Sequence, residues 1–312
     1  MGIFEINFKL FRESDSVVQE DSNLLDIKNF VYDYFATQIQ SIIKALKCFA
    51  SLFKRISNSL KVDKPCDLEL AKEQHRSFCS LLREIGLDVI ELPPDDELPE
   101  SVFVETSAII CNGVALIGKS DNPMRKKEAD SMAIILKKEL DIPVEMIDHS
   151  NAQLDGGDVL FTGREFFVGI SNFTNEDGAR AVAITFPEYP VTPIKASELR
   201  SKKIKIQKQI RKLYLQVGGP QRLKYYITMA GPDVLCVSNS TICQEIVRRM
   251  EREASFKYQK ITLPEEHAAN MLYINGTLVH RTPSEIPASY KVDKIPDTLI
   301  LFVCKGNHEF GD

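Results

Sequence analysis

Asp155-Gly156-Gly157-Asp158, running directly into Val159-Leu160-Phe161, sets two carboxylates around a glycine pair at the start of an apolar strand. Glycine accepts positive φ and lets other groups approach the backbone closely, so both carboxylates can point into one small site. Paired acids in a tight turn suit a cationic ligand, above all a guanidinium, whose planar fork of N–H donors asks for forked acceptors. The alternative is local: a turn in which the aspartates cap their own backbone. Both readings put a turn ahead of a strand and differ only in where the carboxylates face.

The elements that must carry this turn are legible from turn chemistry. Asn112-Gly113 lies between apolar runs in 107–117, and Asn275-Gly276 does so in 271–279. Asn-Gly is a hairpin signal because a type I′ turn needs positive φ at both central residues. Segments 159–170 and 225–237 read as further hairpins, around Gly163-Arg164 and Gly231-Pro232. Helices are expected to follow: 125–140 carries Met132, Ile135, Leu136 and Leu140 on one side, and 240–252 carries Ile242, Ile246 and Met250 four apart. The turn glycines recur at roughly fifty-residue intervals, the mark of a repeat whose units cannot bury their own faces alone. The longer gap between Gly163 and Gly231 exposes a basic insertion, 196–216, with Arg200, Lys202, Lys203, Lys205, Lys208, Arg211 and Lys212 against the single acid Glu198. Such a run is read as a solvated face or loop that stays out of the core.

Composition narrows the class. A chain of 312 residues can bury a large core. A net charge of −5 and a pI near 5.7 argue against nucleic acid as a partner. Seven cysteines without a C-x-x-C pair suit a reducing cytosol better than a disulfide framework, and the five dispersed histidines give no metal cluster. The N-terminus lacks the pattern of a secretory signal. Residues 42–60 carry Lys44, Lys47, Lys54 and Arg55, too many charges for a membrane span. A cytoplasmic protein with no cofactor is expected. Its organisation is read as a divergent extension, 1–51, ahead of one domain, 52–312.

Three ordered segments extend the reading: Leu98-Pro99-Glu100-Ser101-Val102-Phe103-Val104-Glu105, Asn122-Pro123-Met124-Arg125-Lys126-Lys127-Glu128, and Leu154-Asp155-Gly156-Gly157-Asp158. With Met229-Ala230-Gly231-Pro232 and His280-Arg281-Thr282-Pro283 they closely resemble the dimethylarginine dimethylaminohydrolase family over roughly 67–292. The resemblance implies the α/β pentein fold, a five-bladed propeller of ββαβ modules around an axial active site. It also implies hydrolysis of methylated arginines to citrulline. A cysteine thiolate attacks the guanidinium carbon, a histidine protonates the leaving methylamine, and acids hold the guanidinium. By position, Glu100 would meet the substrate's α-amino group, Glu105 and Asp155 would face guanidinium and histidine, and Arg125 would bind substrate. The small-molecule partner expected is a guanidino compound such as a methylated arginine.

Four positions depart from that pattern. Thr106 stands where the family has Asp, and a hydroxyl cannot supply the charge of a carboxylate. Phe173 stands where a basic residue would hold the substrate carboxylate. Arg222 stands at the histidine position, and arginine, always protonated, cannot shuttle a proton. The C-terminal cysteine motif is absent; Cys304, after the apolar run 299–303 and beside Lys305, is the one late thiol that could replace it. Three readings follow: an impaired or dead hydrolase that persists as a binding module, an active enzyme with relocated groups, or an active parent behind errors in the gene sequence. Thr106 and Phe173, inside well-matched stretches, argue for real divergence.

Overall fold

The computed structural model describes residues 68–292, apart from 88, 93–97, 99–102 and 196–221. Helix α1 (Leu68–Glu84) leads into the first module: β1 (Ala108–Cys111), β2 (Val114–Ile117), α2 (Pro123–Glu139) and β3 (Val144–Glu145). The second is β4 (Val159–Phe161), β5 (Phe166–Ile170), α3 (Glu176–Thr185) and β6 (Val191–Lys195). After a helical turn, α4 (Leu223–Tyr226), come β7 (Ile227–Gly231), β8 (Val234–Ser238), α5 (Thr241–Glu253) and β9 (Gln259–Leu263). The hairpin β10 (Leu272–Ile274) and β11 (Thr277–Val279) ends the described strands. In each complete module an antiparallel hairpin precedes a helix that returns the chain as a third strand, parallel to the second. Small separate sheets of three, three, three and two strands result.

Local chemistry explains most of these boundaries. Asn112 and Gly113 have φ of 49° and 71°, and Asn275 and Gly276 have 49° and 74°, as a type I′ turn requires. Asn122 caps α2 by accepting from the Met124 amide at 3.0 Å, with Pro123 pre-set for the first helical position. Ser240 caps α5, whose buried stripe is Cys243, Ile246, Val247 and Met250. The second module is filled by aromatic rings: Phe161 stacks on Phe166 at 4.4 Å and Phe166 on Phe186 at 5.3 Å. Each ring so buried contributes about 1.5–3 kcal/mol.

Neighbouring modules share side chains. Leu160 and Phe167 of the second join Ile227, Leu235 and Ile246 of the third in one cluster. Ala230 and Cys236 of the third pack with Met271 and Leu278 of the last hairpin. Among the described residues no α-helix follows that hairpin; Cys79 and Leu82 of α1 cover Ile274, and the Asn275 side chain donates to the Ile85 carbonyl at 2.9 Å.

The third hairpin departs from the pattern expected over 225–237. Tyr225 and Tyr226 belong to α4, and the strand begins at Ile227. The buried Asp158 carboxylate accepts from the Leu223 amide at 3.0 Å and so caps a helical turn that residue pattern alone does not announce. Positive φ falls on Asp233, at 57°, while Gly231 pairs with Val234 across a register shift. The extension 1–51 and the insertion 196–216 lie outside the described residues.

Candidate active site cleft

Two short 3-10 turns, Val104–Thr106 and Gly156–Asp158, pack against each other and bring Thr106 and Asp155, the residue that caps the second turn, to one cleft. Gly156 is required there: a β-carbon would overlap the Glu105 carbonyl oxygen. Asn175 braces the approach to the second turn. Its Oδ1 accepts from Gly178 N at 2.9 Å and Gln153 N at 3.1 Å, and its Nδ2 donates to the Asn151 carbonyl at 2.7 Å.

The two aspartates of this turn do different things. Asp155 accepts from Gly157 N at 2.9 Å with one oxygen and keeps its carboxylate toward the cleft. Asp158 turns away. Fully buried, it accepts from Ser171 Oγ at 2.6 Å, Thr174 Oγ1 at 2.8 Å and Leu223 N at 3.0 Å. The expectation that both acids face one ligand is therefore corrected: Asp158 fastens the loop carrying Phe173 and the start of α4. Burial pushes its carboxyl up to about 7, against the opposing effect of these hydrogen bonds.

Arg222 occupies the cleft side of Asp155. Its Nε and one terminal nitrogen donate to the two carboxylate oxygens at 2.9 and 2.8 Å, a bidentate fork. The guanidinium carbon lies 4.3 Å from the Phe173 ring centroid, so the half-exposed ring forms its other wall. Gly157 leaves room for the arginine, since a β-carbon there would overlap Arg222 Cδ. Burial works against the arginine's charge, but the hydrogen bonds and field of Asp155, with the fields of Asp158 and Glu105, raise its pKa further. The second acid is engaged as well: buried Lys224 donates to Glu105 Oε1 at 2.9 Å.

A cleft of about 120 Å³ gathers Thr106, Arg125, Asp155, Phe173 and Arg222 with Lys119, Ser120 and Asn122. Five positions singled out from sequence thus meet in one place, although Thr106 donates its hydroxyl to the Phe103 carbonyl at 2.8 Å and Arg125 pairs with Glu128. Among the described residues, neither cysteine nor histidine lines this cleft. Cys79, Cys111, Cys236 and Cys243 are buried, and burial pushes Cys79 up to about 11 and raises Cys236 and Cys243. Glu100 and Cys304 lie outside the described residues. Among the described residues no group of three or more His, Cys, Asp or Glu could hold a metal, and no helix is long and apolar enough to cross a membrane.

Residue reasoning passed over Lys224 and over the partners of Asp158. Lys224 stands two positions after Arg222, and that proximity was its one sequence signal. Nothing local could have paired Ser171, Thr174 and Leu223 with Asp158, because the partners come from two separate stretches, the loop 171–174 and the start of α4.

Successive ββαβ modules bordering a shared cleft define the pentein fold. A mutant dimethylarginine dimethylaminohydrolase from Pseudomonas aeruginosa, solved with citrulline, superposes with a TM-score of 0.58 over 83% of this chain and 89% of that one, at 19% identity. Residues 50–212 match the family model described as N,N dimethylarginine dimethylhydrolase, eukaryotic. Putative hydrolase DDAH2 of Homo sapiens is 33% identical over 248 residues, covering 76% of this chain and 79% of the human protein. The N(G),N(G)-dimethylarginine dimethylaminohydrolase of Pseudomonas aeruginosa is 26% identical over 72% of this chain and 76% of its own length. The chain belongs to the dimethylarginine dimethylaminohydrolase family.

Proposed function

We propose that this family member does not hydrolyse methylarginines by the family's thiol route and serves as a pentein-fold binding module. The observation that carries the reading is the fork between Arg222 and Asp155. At the position where the resemblance calls for a neutral–cationic histidine cycle stands a guanidinium that does not release a proton near neutrality. Glu105 is tied to Lys224, and Thr106 brings no second charge. A methylarginine entering the cleft meets two acids already neutralised, an extra cation, and Phe173 in place of a carboxylate-binding residue.

The test is citrulline release from dimethylarginine by the purified full-length chain, beside Cys304→Ser. No release above background is the expected result. Turnover that Cys304→Ser abolishes would overturn the reading and make Cys304 the nucleophile.

A further inference from the structure

We propose that Arg222 is a tethered ligand: the cleft retains a complete guanidinium-recognition site, and the chain's own arginine fills it. The inference rests on the non-hydrolytic reading and says what the binding site recognises. Three features make it a built site and more than a surface ion pair. The acceptor is fixed independently of its guest, because Asp155 Oδ1 accepts from Gly157 N at 2.9 Å and the Asp155 amide donates to Thr174 Oγ1 at 3.0 Å. Thr174 is held in turn by the buried Asp158 at 2.8 Å. The guest is gripped on both chemical faces of a guanidinium: two parallel N–H donations at 2.9 and 2.8 Å in its plane, and the Phe173 ring 4.3 Å from its carbon across that plane. The channel for its aliphatic stem exists only because residue 157 is glycine.

A site of this form discriminates by shape. A planar guanidinium satisfies both oxygens through parallel donors while lying over the ring, whereas an ammonium is a point charge without that planar fork. With Arg222 in place, a free guanidino compound must displace a group whose local concentration is set by its own backbone, so the intact protein is closed to it. Removing the side chain leaves a slot bounded by Asp155 and Phe173 and opens the site.

The experiment is calorimetric titration of n-propylguanidinium, the detached form of the arginine side chain, and of n-butylammonium, into wild type and Arg222→Ala. Arg222→Ala is expected to bind n-propylguanidinium about tenfold or more tightly than wild type and to discriminate against the ammonium, which cannot form the fork. Equal affinities in the two proteins, or no binding by a folded Arg222→Ala, would overturn the proposal. A measurement on wild type keeps the test open if that variant fails to fold. The Arg222 terminal N–H signals, assigned by their loss in Arg222→Lys, should be resolved and slow to average in nitrogen-edited NMR. Fast averaging, as for a solvated arginine, would overturn the proposal. Citrulline release by wild type would instead strike the non-hydrolytic reading, so the two failures are distinguishable.

Discussion

Arg222 and Asp155 answer each other's charge in a setting that neither could occupy alone. The Asp155 side chain is 10% exposed and the Arg222 side chain 33%, so the pair is screened on one side only. Asp155→Asn keeps the shape and one acceptor but removes the charge that the fork requires. Stability is expected to fall by about 1–2 kcal/mol, the range for a charge-assisted hydrogen bond discounted for partial exposure. The urea midpoint measures it, and an unchanged midpoint would mean that the fork contributes nothing. Phe173 belongs to the same unit, since its ring lies over the guanidinium that Asp155 holds.

The 3-10 turn Gly156–Asp158 is the element on which the cleft depends, and its two glycines are not equivalent. A β-carbon at Gly156 would meet the Glu105 carbonyl, which is backbone and can move only with the whole Val104–Thr106 turn. At Gly157 it would meet Arg222 Cδ, a side-chain atom that can give way only by releasing the fork to Asp155. Gly156→Ala is therefore expected to destabilise by about 2–3 kcal/mol, in the range of core overpacking, and Gly157→Ala by about 1–2 kcal/mol, the loss of the displaced fork. Thermal melts of the two variants give the order, and an unchanged melting temperature in Gly157→Ala would show that Arg222 leaves the fork at no cost. That the turn would precede a strand was legible in Asp155-Gly156-Gly157-Asp158; which carboxylate faces the cleft was not, because Ser171, Thr174 and Leu223 arrive from elsewhere in the chain.

Across the whole molecule, Asp158 joins the second module to α4 and so to the third, and it does so fully buried. Burial pushes its carboxyl up from the ordinary 3.8 to about 7 in the folded protein. Between those values the folded state holds a proton that the unfolded state has released. Stability therefore declines as pH rises through this window, and the loss is complete above about 7. Asp158→Asn, which keeps an acceptor for Leu223 N, should flatten that slope. Melting temperatures of both proteins from pH 4 to pH 8 provide the check, and parallel curves would refute the assignment.

Sequence by itself determined the hairpins at Asn112-Gly113 and Asn275-Gly276, the helices after the first and third hairpins, and the family, because turn chemistry and apolar periodicity act within a few residues. The third strand of each module came only through the resemblance, since Val144–Glu145 and Gln259–Leu263 carry no strong pattern of their own. The substitutions at Thr106, Phe173 and Arg222 were equally plain in the chain, but what they amount to was not. Only the tertiary structure brought Arg222 onto Asp155, 67 residues away, and Lys224 onto Glu105, 119 residues away. Charge pairing in a cleft is decided by distance in space, where a carboxylate left without its ligand takes the nearest cation that the fold can deliver.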